Sequence, residues 1–195
     1  MLAGGAARRY GGFPKGLLSL GGRRILDRVV DAVQAATGEP PLVVANAPEA
    51  PTWRPDLRTV PDARPGCGSV GGIYTALVSG PGPVLCVAWD MPFVTPELLR
   101  ALIAAAAGYD ALLPESGGRR GVEPLCAVYA PNCGPAIERR LTRGELQAIA
   151  FHPDVKVGTL SLERVKGFGE PDVLFFNINL PEDLARGEEL WRQRG

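Results

Sequence analysis

Histidine is almost missing from this chain, His152 being its single occurrence, so an imidazole-built zinc site is excluded as a first reading. As a lone histidine, it reads as a surface or loop position. Cysteine is scarce and unpatterned: residues 67, 86, 126 and 133 show no C-x-x-C spacing. Two of these lie in apolar, strand-like runs, and reduced thiols in a cytoplasmic protein are the simplest account. Net charge is lacking as well. The 21 basic residues balance 21 acidic ones, so no overall field draws in nucleic acid, and no nucleic-acid partner is expected. No apolar run reaches the roughly 18 residues of a membrane span and no signal-peptide pattern is visible, so neither a membrane nor a secretory role is expected. Repeats, linkers and low-complexity tracts are absent too.

What is present is an apolar fraction of 46% in 195 residues, enough for one domain with a sizeable core. Residues 24–36 place Ile25, Leu26, Val29, Val30 and Val33 on one helical face, with Gly38 closing the helix before Pro40-Pro41. Residues 42–46 form a short continuous apolar run, as in a strand buried on both faces. Residues 48–55 read as a loop, with Trp53 packing over a sheet edge. Further strands are expected over 57–60, 83–89, 110–114, 122–129 (broken by Pro124), 155–162 and 173–176. Helices are expected over 73–79, 97–107 (capped by Thr95), near 135–141, and over 181–194. Strands alternating with helices imply an α/β fold, a mostly parallel sheet with helices on both faces. The less regular residues from 115 to 175 read as an extension walling a second substrate. Only Met1-Leu2-Ala3 precede the first glycines; either the natural start lies upstream or the central strand is a stub.

The first eighteen residues carry the most chemistry. Leu2-Ala3 runs into Gly4-Gly5, Arg8-Arg9 follow, and Gly11-Gly12 stand ahead of Lys15. Glycines let backbone N–H groups turn inward toward an anion, and Arg9 and Lys15 add full charges, a combination suited to polyphosphate. A glycine-rich surface loop is the bland alternative. The pattern is not a Walker A loop, because Lys15 is flanked by Pro14 and Gly16. The other basic pairs, Arg23-Arg24, Arg119-Arg120 and Arg139-Arg140, read as solvated faces.

In open α/β sheets, ligands bind beyond the carboxyl ends of the strands. Gly4-Gly5, Asp62 and Asp90 each follow a strand and so converge on one rim. Asp90 ends a buried strand, where a bare carboxylate is costly unless a cation shares the site, and Mg2+ accepts one carboxylate with phosphate oxygens and water. A turn-capping role before Pro92 is the alternative. Asp62, taken alone, reads as an ordinary turn residue after Pro61. Residues 66–71 match G-x-G-x-x-G letter for letter but do not follow the first strand, so they suggest substrate lining rather than a dinucleotide site. Asn177 and Asn179, taken alone, read as satisfying backbone at a strand end.

Leu2-Ala3-Gly4-Gly5, Arg9 and Gly11-Gly12-Phe13-Pro14-Lys15-Gly16-Leu17-Leu18 together resemble the opening signature of GT-A-like nucleotidyltransferases. The form G-G-x-x-K-G-L-L-x-L-x-G is most similar to the molybdenum cofactor guanylyltransferase (MobA) family. Asp90-Met91-Pro92-Phe93 resembles that family's D-x-P-[FY] element, and residues 177–184 its N-x-N-[ST]-P-E-[DE]-L ending. The resemblance implies a Rossmann-like three-layer α/β/α fold of nucleotide-diphospho-sugar transferase type over residues 1–195. A nucleotide-binding half would span 1–110 and an acceptor-binding half 111–195. It implies transfer of GMP from GTP to molybdenum-bound molybdopterin with release of pyrophosphate, Mg2+ as cofactor, and transient contacts with cofactor-biosynthesis or acceptor proteins. By the same resemblance Lys15, Asp90 and Arg9 are catalytic, with Asp90 on the metal. Leu2, Ala3, Gly4, Gly5, Asn46 and Asp62 join Lys15 and Asp90 on the nucleotide, and Gly71, Gly72, Asn177 and Asn179 border the acceptor. The chain departs from the family at Pro14, where an acidic residue is usual, at 68–71, where G-P-L-x-G loses its proline, and at Leu180. A Ser/Thr cap is usual at that last position, and its loss should weaken the helix start by about 1 kcal/mol. A related transferase using CTP or a sugar-phosphate acceptor, and a noncatalytic nucleotide-binding adaptor, are the alternative readings.

Overall fold

The computed structural model describes residues 1–4 and 13–194. The short N-terminal segment lies at the centre of the sheet. Leu2 pairs in parallel with Val44 on one side and Ala88 on the other. Its amide donates to the Val87 carbonyl at 2.8 Å and its carbonyl accepts from Trp89 N at 3.1 Å, while Ala3 N donates to the Val44 carbonyl at 2.8 Å. The few residues ahead of the glycine loop thus have ladder partners along both edges.

A single 3-10 turn, Lys15–Leu17, leads into a hairpin of β1 (Ser19–Leu20) and β2 (Arg23–Arg24). Its turn is Gly21-Gly22, both at positive φ (54° and 73°), a conformation that glycine adopts without strain. No apolar–polar alternation marks this hairpin in the sequence. Helix α1 (Ile25–Thr37) follows and ends, as expected, on left-handed Gly38. Next come β3 (Val43–Val44), α2 (Ala50–Trp53), β4 (Thr59–Val60), α3 (Gly68–Val78) and β5 (Val84–Val87). They are followed by α4 (Pro96–Ala105), β6 (Ala111–Pro114), β7 (Cys126–Tyr129), α5 (Cys133–Thr142), β8 (Val157–Leu160), α6 (Leu162–Lys166), α7 (Pro171–Leu174) and α8 (Pro181–Arg192).

Read across the sheet through Leu2, the order is β4, β3, Leu2, β5, β7, β6, β8. Only β7 runs antiparallel to its neighbours. The expected mostly parallel sheet is therefore present, with one reversed strand set among the parallel ones. Side chains alternate between two cores, as the two-residue period of a strand dictates. Val43, Val87, Leu112 and Val128 join α1 and α4 on one face. Leu2, Val44, Cys86, Leu113 and Tyr129 join α3 and α5 on the other. A third, smaller core of Leu20, Ile25, Phe93 and Ile178 receives Leu184 and Trp191 of α8.

Some expectations need correction. Residues 173–176 are not a strand. Pro171 pre-sets the first turn of α7, and Phe175 N donates to the Pro171 carbonyl at 3.0 Å. A four-residue apolar run carries no periodicity to tell the two apart. The expected loop at 48–55 contains α2, whose Trp53 is buried. The helix expected from 73 starts at Gly68, and the strand expected from 122 shortens to β7, because Val122 makes only an isolated bridge to Glu115. At Leu180 the missing hydroxyl cap is partly offset. The Asp183 carboxylate accepts from the amides of Asn179 (2.9 Å) and Leu180 (2.8 Å), one half of a capping box.

Three thiols, Cys86, Cys126 and Cys133, are buried, and burial pushes Cys86 up to about 11 and Cys133 to about 12. His152 is half-buried against Phe151, and its Nε2 has no hydrogen-bond partner among the described residues. Burial holds its pKa below the usual value of 6.5. The folded state therefore favours the neutral ring, so stability should be intact above about pH 6.5 and decline as the pH falls through the lowered folded value. Thermal melts of the wild type and His152→Gln between pH 7.5 and 5 should diverge, with the wild type losing more. Parallel pH slopes would contradict this account.

Candidate active site

The parallel strand ends open on one cavity of about 470 Å³. Leu2 leads to Gly4, β3 to Ala45 and Asn46, β4 to Asp62, and β5 to Trp89 and Asp90, and all of these line it. Asp90 is one of the few buried polar side chains. Lys15 Nζ forms an ion pair with Asp90 Oδ2 and donates to Asn179 Oδ1 at 2.6 Å. The Asp90 carbonyl in turn accepts from Ile178 N at 3.0 Å, which stitches the Asn177-Ile178-Asn179 segment to the strand end. Two carbonyl-type oxygens thus converge on one ammonium, the arrangement a buried carboxylate requires to stay charged.

The position of Lys15 is imposed from below. Gly16 passes directly over the Trp89 ring, so that a Cβ there would lie inside it. Trp89 stacks on Trp53 with ring centroids 5.0 Å apart, and Arg24 Nη1 donates to the Trp53 carbonyl at 3.1 Å. Burial would raise the Asp27 carboxyl, but hydrogen bonds and charge from Arg24 and Arg54 outweigh it and hold Asp27 below the usual carboxylate range. On the far side, Arg28 lies 3.5 Å from the Trp191 ring centroid and donates to the Leu20 carbonyl, which locks α8 onto the hairpin after Lys15.

Asn46 and Asp62 clamp each other. Asn46 Nδ2 donates to Asp62 Oδ2 at 2.7 Å, and Asp62 N donates to Asn46 Oδ1 at 2.8 Å. The bland reading of Asp62 as a turn residue therefore accounts for only part of its contacts. Gly66 and Gly68, both at positive φ, bring the start of α3 to the cavity, and among the described residues no side chain caps its first amides. Such free donors suit an anionic ligand.

Among the sequence-derived residues, Leu2, Gly4, Lys15, Asn46, Asp62, Gly72, Asp90, Asn177 and Asn179 meet at this cavity. Ala3 lies behind it, buried and bonded to Val44. Gly71 lies behind it as well: a Cβ there would sit 2.8 Å from the Cys67 Cβ, so its role is close packing. Gly5 and Arg9 lie outside the described residues. The sequence did not single out Trp89 or Leu125 as lining residues. Leu125 arrives from the loop ahead of antiparallel β7, a long-range approach that no local motif encodes. Among the described residues no cluster of three or more His, Cys, Asp or Glu side chains forms a metal cage. A divalent ion here would have Asp90 as its protein carboxylate.

A family model described as the MobA-like NTP transferase domain matches residues 1–155. The chain belongs to that family. A probable molybdenum cofactor guanylyltransferase of Pelotomaculum thermopropionicum is 36% identical over 95% of this chain and 89% of its own length. A molybdenum cofactor guanylyltransferase of Desulfosudis oleivorans is 35% identical over 96% and 92%. Among solved structures, molybdopterin-guanine dinucleotide biosynthesis protein A of Archaeoglobus fulgidus superposes with a TM-score of 0.82 at 31% identity, covering 98% of this chain and 97% of that one. A 4-diphosphocytidyl-2C-methyl-D-erythritol synthase from Anaerococcus prevotii, at 14% identity and TM-score 0.72, shares the fold over 98% and 93%.

Within this MobA-like domain Gly16 is a sharp test of the support under Lys15. Gly16→Ala should cost about 1–3 kcal/mol through overpacking against Trp89, read as a lower denaturation midpoint. An unchanged midpoint would mean that the ring yields freely.

Proposed function

We propose that the protein is a molybdenum cofactor guanylyltransferase that joins the GMP moiety of GTP to the terminal phosphate of molybdenum-bound molybdopterin. The names of its relatives support the choice of substrates. The contact of Lys15 with both Asp90 and Asn179, at the mouth of a strand-end cavity, carries the mechanistic reading.

The residues fit a divalent cation in this reading. Asp90 and Asn179 already direct oxygens at one positive charge, the Lys15 ammonium, which stands where a cation would be neutralised. Bound Mg2+ would supply charge neutralisation at the α-phosphate, with phosphate oxygens and water completing its shell. Asp90 is the residue that would hold it. Lys15, once exchanged from Asp90 to the nucleotide, neutralises the β- and γ-phosphates, and the amides of Gly4 and the start of α3 add donors. The attacking oxygen of the acceptor phosphate is already ionised, so no general base is required. Its bond to the α-phosphorus forms as the bond to the bridging oxygen breaks, and pyrophosphate leaves. The Asn46–Asp62 clamp fixes the two strand ends beside the nucleotide, and Asn177 and Asn179 border the acceptor side. Catalysis is then in-line positioning and charge neutralisation.

Asp90→Asn should lower pyrophosphate release from GTP plus acceptor by at least about 100-fold while the chain still melts cooperatively. Lys15→Ala should weaken GTP binding by about tenfold. Undiminished turnover in the first variant, or tighter wild-type binding of CTP than of GTP, would contradict the assignment.

A further inference from the structure

A second cavity, of about 640 Å³, shares no lining residue with the first and has no part in the chemistry above. Its wall is the loop between β6 and β7, closed at its base by the Glu115–Val122 bridge and by Ser116 N donating to the Gly121 carbonyl at 2.9 Å. Arg119, Arg120, Glu123 and, from beyond α5, Gln147 line it. The main chain of Glu123 is fixed, its amide donating to the Pro114 carbonyl at 3.0 Å and its carbonyl accepting from Cys126 N at 3.2 Å. Its carboxylate is not. One oxygen receives only the Leu125 amide, at 3.4 Å, and the other has no partner among the described residues. Arg119 and Arg120 form no ion pair among the described residues. Desolvation raises the Glu123 pKa above its usual value, with Asp90 adding to the rise and the Leu125 amide and Arg120 opposing it. Glu123 lines the second cavity, and Leu125, two residues on, lines the first.

A half-buried carboxylate with open acceptor positions, flanked by guanidinium groups and an amide, matches a ligand that offers adjacent N–H donors on one edge and anionic groups on the other. The 2-amino-4-oxopyrimidine edge is such a donor pair, and guanine and pterin share it. The acceptor's terminal phosphate has to reach the first cavity, where Asn177 and Asn179 border it, which leaves the second cavity for its ring. We propose that Glu123 reads the pterin ring of the acceptor, its carboxylate accepting from N3–H and the 2-amino group, while Arg119 and Arg120 face the acceptor's anionic groups. The assignment rests on the acceptor named above, and deepens it by naming a residue that recognises it.

Fluorescence titration of the full chain with 6-hydroxymethylpterin and 6-hydroxymethyllumazine tests this without turnover. Lumazine replaces the 2-amino donor with an oxygen that a carboxylate repels. The wild type should prefer the pterin by about tenfold or more, and Glu123→Gln should lose that preference. The variant's affinity for a non-cleavable α,β-methylene GTP analogue with Mg2+ should be unchanged. Arg120→Gln should weaken 6-hydroxymethylpterin phosphate and keep the pterin-over-lumazine preference. Equal wild-type affinity for the two rings, no binding of either, or an unchanged preference in Glu123→Gln would overturn the proposal. So would loss of the GTP analogue alone in that variant, which would reassign Glu123 to guanine. A wild type that prefers the pterin yet releases no pyrophosphate would sink the transferase reading and leave this assignment standing.

Discussion

A carboxylate at the end of a buried strand has to be neutralised, and in this chain the cation that neutralises it is the ammonium of Lys15. Much of the surrounding structure follows from that pairing. The two residues are far apart in sequence, so the chain at Lys15 must be held over the end of β5 by contacts of its own. The Trp53–Trp89 stack forms the floor under Gly16, Arg24 and Asp27 tie Trp53 to α1, and Trp191 of α8 packs beside the hairpin that follows Lys15. Removing either partner of the pair would leave the other charge largely buried and unpaired, a cost that exceeds the net gain from the pair itself.

The sheet explains why the cavity is polar on one rim and apolar below. Parallel strands release their chains at a common edge, so Gly4, Asn46, Asp62 and Asp90 meet there although each comes from a different strand end. The reversed strand β7 makes a second kind of wall. Its approach carries Leu125 to the strand-end cavity and Glu123 to the second one, so a single short segment contributes to both. That partition suits a reaction that must bring two anionic substrates together while keeping their recognition apart.

Much of this was legible in the sequence because it rests on local signals. The Gly38 stop of α1, the Thr95 cap of α4 and the apolar runs of β3 and β5 each follow from side-chain and backbone preferences within a few residues. The placement of Asp62 and Asp90 on one rim follows from topology once those strands are known. What could not be read depends on distant partners. Residues 173–176 are apolar enough for a strand, yet Pro171 starts a short helix that takes in Val173 and Leu174 and ends before Phe175. Gly71 looks like a ligand-side glycine until Cys67 is seen against it, and no pattern announces that Leu125 reaches the cavity.

The central claim is that Lys15 and Asp90 act on one triphosphate and not merely on each other. A crystal structure of the protein with Mg2+ and the α,β-methylene GTP analogue tests it most directly. The account predicts that Lys15 leaves Asp90 for the phosphate oxygens while Asp90 turns to the metal beside the α-phosphate. A nucleotide seated elsewhere, with the Lys15–Asp90 pair still closed, would contradict it.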